Sequence, residues 1–213
     1  MAAHRSEQLR NVVLLGHGSS GKTSLAEAMS YNCGVTNRLG RVEDGTAIAD
    51  FDEEEIRRRI SVSVAVVPCP WLDAKINILD TPGYLEFLGE VISGTRAAES
   101  AVFVIDAASG VEVGTELLWR YADERSMARM VFINKMDREH ADFQAALDSL
   151  SDRFEKRFVP LQLPIGQETS FKGIVDLLTT RARIGSDADE EEAPSDMADA
   201  VEEARLQLVE AAA

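Results

Sequence analysis

The chain has 213 residues, of which 45% are hydrophobic, and its formal net charge is −15. This length and apolar content predict one well-buried core with a small additional part rather than several large domains. Ten acids against one arginine fall within residues 186–213, so much of the acidity is regional. Such a charge balance argues against non-specific nucleic-acid binding by this segment, and no sequence-specific nucleic-acid contact is expected either.

Three features of the sequence bear on solvent exposure, on the redox environment and on membrane contact. The segment SDADEEEAPSD at residues 186–196 is predicted to be a solvated loop or linker, because blocks of like charge repel one another. Cys33 and Cys69 lack metal-site spacing, which is typical of ordinary thiols in a reducing cytoplasm and gives a disulfide no support. No apolar leader or run of membrane-spanning length is found, so we expect a cytoplasmic protein without membrane contact.

The first predicted strand, NVVLL, leads through a glycine-rich turn into a helical pattern, TSLAEAMS. Gly16, Gly21, Lys22 and Thr23 fit the phosphate-loop spacing G-x-x-x-x-G-K-[ST]. We expect Lys22 to contact the β- and γ-phosphates of a nucleoside triphosphate and the Thr23 hydroxyl to ligate Mg²⁺. The alternative is a chance match in a flexible turn. The residues expected to bind phosphate are Gly16, His17, Gly18, Ser19, Ser20, Gly21, Lys22, Thr23 and Ser24.

A long polar segment, TNRLGRVEDGTAIADFDEEEIRRR, follows the first helix and is predicted to be a loop that acts as a switch. The apolar runs VSVAVVP and KINILD come next, separated only by CPWLDA, which predicts an antiparallel hairpin. Further apolar runs, AVFVID and MVFINK, alternate with helical patterns. The sequence therefore predicts an α/β fold, with a mostly parallel sheet, one antiparallel hairpin strand and helices on both faces.

The stretch INILDTPGYLEF places a carboxylate and a glycine at the end of a predicted strand. After a phosphate loop, Asp80 is expected to hold Mg²⁺ through water, and the Gly83 N–H to reach the γ-phosphate. An ordinary acid followed by a turn is the alternative for Asp80 alone. Together with Lys22, Gly83 and the following Tyr84 are the candidate catalytic positions.

The stretch MVFINKMDRE places Asn134, Lys135 and Asp137 at the carboxyl end of another strand, where open α/β sheets bind ligands. A carboxylate there accepts hydrogen bonds from N1–H and the exocyclic amine of guanine, whereas adenine would present an acceptor to it. Asn134 is expected to meet the acceptor edge of the base. The pattern thus predicts GTP as the nucleotide and conflicts with an ATPase or a kinase that uses ATP.

The motifs GHGSSGKTS, DTPGY and NKMDRE, with GVEVGTELLWRYADE between the last two, resemble the GTP-binding domain of bacterial elongation factor G and its paralogues. The resemblance implies a phosphate-loop GTPase fold, GTP or GDP with Mg²⁺ as ligands, and the ribosome as partner. The stretch VPLQLPIGQETSFKGIVDLL is similar to the opening of that family's insert. We therefore expect a GTP-binding core at residues 1–157 and the start of an inserted subdomain, with an acidic loop and a terminal helix, at 158–213.

The sequence departs from the family pattern at several positions. Where the family carries an acid in its phosphate loop, this chain has Gly18 followed by Ser19 and Ser20. The pattern RGITI aligns with RRISV, so Arg59 must accept the backbone conformation of a glycine, and Ser61 keeps a hydroxyl for Mg²⁺. No convincing equivalent of the family's last guanine-contacting loop precedes Ala213, so the sequence is expected to be a fragment.

The most consequential departure is Tyr84, because the family usually has histidine after DTPG. A phenol with a pKa of about 10 stays neutral and is expected to orient the attacking water less well than an imidazole. Slow hydrolysis is therefore expected, and His17 is a second candidate for the missing histidine. Two functions follow: a GTPase that acts on the ribosome, or a GTP-binding regulator that hardly hydrolyses GTP.

Overall fold

The computed structural model describes residues 4–185 and 190–213. The chain divides into two compact units, Met1–Ile105 with Glu112–Asn134, and Asp106–Val111 with Lys135–Ala213. The predicted boundary at residue 157, and the assignment of the remainder to an insert, stay predictions.

The first unit is built on a five-stranded sheet with the order β2-β3-β1-β4-β5. Its central strand β1 pairs in parallel with β3 and β4, while β2 pairs antiparallel with β3, as the short CPWLDA connection predicts. The mostly parallel sheet with one hairpin strand is therefore confirmed. The strands are β1 (Leu9–Leu15), β2 (Ala65–Trp71), β3 (Ala74–Asp80), β4 (Ser100–Asp106) and β5 (Ala128–Asn134).

Helices cover both faces of this sheet. Leu14 and Ile78 face α1, where they pack with Ala26 in one buried cluster. The neighbouring Val13 points to the opposite face, because side chains alternate along a strand, and it lies beside Gly94 of α3. The helices of this unit are α1 (Lys22–Asn32), α2 (Glu53–Arg58), α3 (Leu88–Ala97) and α4 (Val113–Glu124).

Helix α2 lies inside the long polar segment that was predicted to be a loop. Its start is capped by Asp52, whose side chain accepts a hydrogen bond from Glu54 N, and three glutamates fill its first turn. It ends at Arg59, which has φ 57° and ψ 39°. This left-handed conformation is the one that glycine usually supplies at the end of a helix, as the alignment with RGITI predicts.

The second unit contains helix α5 (Phe143–Phe154) and a four-stranded antiparallel sheet with the order β6-β7-β8-β9. Its strands are β6 (Gln162–Ile165), β7 (Gly173–Asp176), β8 (Arg181–Ile184) and β9 (Glu190–Glu192), followed by helix α6 (Ala198–Ala212). Val175, Leu177 and Ala182 are fully buried beneath Val201 of α6. This cluster gives the second sheet a core of its own.

The prediction of a loop across the acidic segment is wrong in part. Residues 186–189 lie outside the described residues, but Glu190–Glu192 form β9 and pair with β8. The cause is the neighbouring strand, because Arg183 forms an ion pair with Glu190 that offsets the repulsion between the acids.

The prediction of ordinary thiols is also wrong. Cys33, which follows α1, forms a disulfide with Cys69 of β2, and their Cα atoms are 5.5 Å apart. The packing of α1 on the sheet brings these positions together, although 36 residues separate them in sequence. Within the part of the chain that the structure describes, no helix has both the length and the apolar character needed to cross a membrane.

Candidate functional site

The turn between β1 and α1 has a backbone that requires glycine at two positions. Gly16 has φ 146° and Gly21 has φ 102°, values that side chains disfavour. A Cβ atom on Gly16 would also collide with the carbonyl oxygen of Val104. Ser19 adopts φ 64° in the same turn. The glycines therefore shape a loop whose N–H groups precede the N-terminus of α1, an arrangement that favours anions.

Lys22 is buried at the centre of this loop, with 5% of its surface exposed. Its Nζ donates hydrogen bonds to Gly16 O and His17 O, each at 3.0 Å. Burial lowers the pKa of Lys22 to about 8, although the charges of Asp80 and Glu112 act in the opposite direction. A buried ammonium whose hydrogen bonds go to neutral carbonyls is well placed to gain from an anionic ligand.

Four oxygen-bearing side chains meet beside Lys22. The Thr23 hydroxyl donates to Asp80 Oδ2 at 2.7 Å, and the Ser61 hydroxyl donates to Asp50 Oδ1 at 2.7 Å. The two hydroxyl oxygens are themselves 3.0 Å apart. Either hydroxyl can be the donor in this contact. We call these four residues the oxygen cluster.

The chemistry of the oxygen cluster suits a divalent cation. Asp50 Oδ2 and Asp80 Oδ1 are buried without a hydrogen-bond partner among the described residues. Burial raises the pKa of Asp80 to about 7, opposed by the Thr23 hydrogen bond and the Lys22 charge, and burial also raises the pKa of Asp50. Hydroxyl and carboxylate oxygens are hard ligands, so Mg²⁺ fits this donor set. Asp50 is a member that sequence reasoning missed.

Buried glutamates hold the backbone around Asp50 and Ser61. Glu55, which is 2% exposed, accepts hydrogen bonds from Val62 N at 2.9 Å and Ser63 N at 3.1 Å through the same oxygen. Its other oxygen accepts one from Asp52 N at 3.2 Å. Glu27 of α1 accepts from Gly40 N at 3.1 Å and from Ile48 N. Sequence reasoning missed both glutamates, since isolated acids in a charged segment carry no distinctive spacing.

The turn after β3 lies directly on the phosphate loop. A Cβ atom on Gly83 would be 2.5 Å from Lys22 Nζ and 2.8 Å from Gly18 N, so only glycine fits. The ring of the next residue, Tyr84, lies over Gly18, and 37% of the tyrosine surface is exposed. The structure therefore brings together all three candidate catalytic positions, Lys22, Gly83 and Tyr84.

His17, the second candidate for the missing histidine, faces α4 instead. Its Nε2 lies 3.7 Å from Glu112 Oε1, and its Nδ1 is close to the position that a Cβ atom on Gly114 would take. That Nδ1 is buried without a hydrogen-bond partner among residues 4–185 and 190–213. In the phosphate loop, Ser20 is buried with its hydroxyl likewise unpartnered, whereas Ser24 on α1 is exposed.

The three NKMD residues occupy different surroundings. Asn134 Nδ2 donates to Ser20 O at 3.0 Å, which ties the end of β5 to the phosphate loop. In the second unit, Lys135 Nζ forms an ion pair with Asp106 Oδ2 at 2.7 Å, and Asp137 is exposed. Lys135 has φ 60°, a left-handed turn that directs the chain away from the strand.

Comparison with known proteins shows both a family and a similar solved structure. The family model for the elongation factor Tu GTP-binding domain matches residues 7–209. The chain is also similar to the crystal structure of ttk003000868 from Thermus thermophilus, with 33% sequence identity and a TM-score of 0.90. That similarity covers 96% of this chain and 31% of the other, so this chain spans about a third of that protein's length.

Proposed function

Because the chain belongs to the family of elongation factor Tu GTP-binding domains, we propose that it binds GTP with Mg²⁺ and hydrolyses it to GDP and phosphate. In the finer form of the proposal, the protein is an elongation-factor-G-like translational GTPase that works on the ribosome in the cytoplasm. The buried ammonium of Lys22 beside the unsatisfied oxygen cluster is the observation that carries this proposal. The Lys22 ammonium would bind phosphate, and the oxygen cluster would supply ligands for Mg²⁺.

The phosphate loop performs the binding. Its backbone N–H groups and the N-terminus of α1 attract the phosphates, and Lys22 exchanges its carbonyl partners for phosphate oxygens. Thr23, Ser61 and Asp80 would hold Mg²⁺, with Asp50 as an added member of the set. Bound Mg²⁺ neutralises charge on the phosphate oxygens.

Hydrolysis depends on positioning a water molecule in line with the γ-phosphate. Gly83 lies against Lys22 and Gly18, so its N–H is suited to contact the γ-phosphate, and Tyr84 is the adjacent group with a hydroxyl. The alternative of a GTP-binding regulator without appreciable hydrolysis rests on Tyr84 alone. The family match does not favour it.

Guanine is assigned to Asn134, Lys135 and Asp137. Asn134, in the first unit, donates a hydrogen bond to Ser20 O of the phosphate loop. Asp137 is exposed, and its carboxylate supplies two acceptors for the N1–H and amine of guanine.

The experiment is a phosphate-release assay on the full chain, with GTP or ATP, in the presence and absence of ribosomes. We expect release from GTP that ribosomes stimulate and that Lys22→Ala abolishes. Binding of GTP without release under either condition would instead establish the regulator. Equal use of ATP and GTP would contradict the guanine assignment.

A further inference from the structure

The aromatic ring of Tyr84 is in contact with the phosphate loop at a position without a side chain. A Cβ atom on Gly18 would lie 3.0 Å from both Cε1 and Cζ of Tyr84, and 3.3 Å from Cδ1. Carbon atoms in favourable contact are about 3.5–4.0 Å apart. A side chain at position 18 would therefore press on the ring, which would have to shift by a few tenths of an ångström.

The backbone of Gly83, which precedes Tyr84, also lies against the phosphate loop. A Cβ atom on Gly83 would lie 2.7 Å from Gly18 Cα, 2.8 Å from Gly18 N and 2.5 Å from Lys22 Nζ. Two backbone segments thus meet with no side chain between them. We call Gly18, Gly83 and Tyr84 the aromatic seat.

The seat joins two places where the sequence departs from the elongation factor G pattern. Gly18 opens the altered stretch of the phosphate loop, and Tyr84 replaces the usual histidine. In space, the ring of Tyr84 takes up the room that a side chain at position 18 would need. Of the two ring atoms that would lie nearest to a Cβ atom on Gly18, Cζ is the one that bears the hydroxyl.

We propose that Gly18 and Tyr84 form a matched pair in which the glycine seats the ring on the phosphate loop and so fixes the phenol hydroxyl as the positioning group for hydrolysis. The role in hydrolysis that this inference gives to Tyr84 rests on the proposed function. The contact within the aromatic seat does not depend on that function. A ring that rests on the phosphate loop has fewer rotamers open to it, so its hydroxyl is better placed when the reaction begins.

The seat is tested without nucleotide by ¹⁹F NMR of the full chain labelled with 3-fluorotyrosine. The chain has three tyrosines, Tyr31, Tyr84 and Tyr121, and Tyr84→Phe identifies the resonance of interest by its loss. We expect Gly18→Ala to move that resonance toward the position it has in the denatured chain, and to leave the other two unchanged. Gly89→Ala is the matched control, because a Cβ atom there meets nothing within 4 Å. An unmoved Tyr84 resonance in Gly18→Ala would overturn the proposal.

The role in hydrolysis is tested by a double-mutant cycle on single-turnover rates, measured with ribosomes and saturating GTP. Gly18→Ala is expected to lower the rate by about tenfold, and Tyr84→Ala by at least as much. The double variant should be no slower than Tyr84→Ala, since a ring that is absent cannot be displaced. GTP affinity should be nearly equal in Tyr84→Ala and the double variant, which separates positioning from damage to the phosphate loop.

The outcomes distinguish this proposal from the proposed function. Rate losses that multiply in the double variant would overturn the pairing while leaving GTP hydrolysis established. Absence of wild-type hydrolysis would overturn both the hydrolytic function and the positioning role of Tyr84. In that case a moved resonance would still support the seat.

Discussion

Thr23 at the start of α1 donates its hydroxyl hydrogen to Asp80 at the end of β3, across 2.7 Å. The bond joins the phosphate loop to the next strand of the sheet, and Ser61 lies 3.0 Å from the same Thr23 oxygen. The hydroxyl oxygen keeps its lone pairs while its hydrogen is donated, so in this position it is available as a metal ligand. The roles of Thr23 and its neighbour Lys22 can therefore be separated by their response to Mg²⁺.

Thr23→Ala should weaken GTP binding by about tenfold or more at low Mg²⁺, and excess Mg²⁺ should restore part of the loss. Lys22→Ala should weaken binding at every Mg²⁺ concentration, because it removes charge that contacts phosphate rather than metal. Titration of a fluorescent GTP analogue at several Mg²⁺ concentrations measures both. Thr23→Ser, which keeps the hydroxyl, is the control. If both alanine variants respond alike to Mg²⁺, the assigned roles are wrong.

Glu55→Ala should lower the free energy of unfolding by about 1–3 kcal/mol, because it leaves the N–H groups of Asp52, Val62 and Ser63 without their acceptor. Since two of these groups follow Ser61 directly, the variant should also need more Mg²⁺ for GTP binding. Urea unfolding and Mg²⁺ titration provide the measurements. Glu54→Gln on the exposed side of α2 should leave the Mg²⁺ requirement unchanged, and an unchanged requirement in Glu55→Ala would contradict its positioning role.

Arg59→Gly should increase the free energy of unfolding by about 1 kcal/mol, because glycine adopts the left-handed conformation observed there without a steric cost. Arg58→Gly is the matched control. It removes the same charge one residue earlier, inside the helix, and should destabilise the chain by about 1 kcal/mol. Urea unfolding should show changes of opposite sign in the free energy of unfolding of the two variants. A loss of stability in both variants would contradict the backbone argument.

The ion pair between Asp106 and Lys135 predicts a dependence of stability on pH. Burial acts to raise the pKa of Asp106, but the hydrogen bonds from Lys135 and from Ala108 N, together with the charges of Lys135 and Arg138, hold that pKa below its usual value. Stability from a lowered aspartate pKa is present above the unfolded value of about 3.9 and is lost as pH falls through the lower folded value. Urea unfolding should therefore show that Asp106→Asn loses less of its free energy of unfolding at low pH than the wild type does. An equal loss would contradict the pairing.

The first sheet was predictable because its strands are apolar runs of β-branched residues, such as VFVID, that end at recognisable motifs. The second sheet was not, because strands of three or four residues leave no periodicity to detect. Strand β9 consists of three glutamates, and its formation is explained by pairing with β8, whose Arg183 forms an ion pair with Glu190. Pairing between distant segments is information that a local pattern lacks.

The candidate site likewise contains residues that could be predicted from the sequence and residues that could not. The phosphate loop was predictable because Gly16 and Gly21 stand at a spacing that backbone geometry dictates. Asp50 was not, since it is one acid within a charged segment and becomes distinctive only beside Ser61. The contact between Tyr84 and Gly18 was hidden for the same reason, although each residue was noted separately as a departure from the family pattern.

The most direct test of the central claim is calorimetric titration of the wild type and Asp137→Asn with GTP and with xanthosine triphosphate. The account predicts that the wild type prefers GTP and that the variant prefers xanthosine triphosphate, because an amide exchanges an acceptor for a donor at the base edge. Asp137 is exposed, so the substitution should leave the fold intact. An unchanged preference for GTP in Asp137→Asn would contradict the assignment of this chain's guanine site.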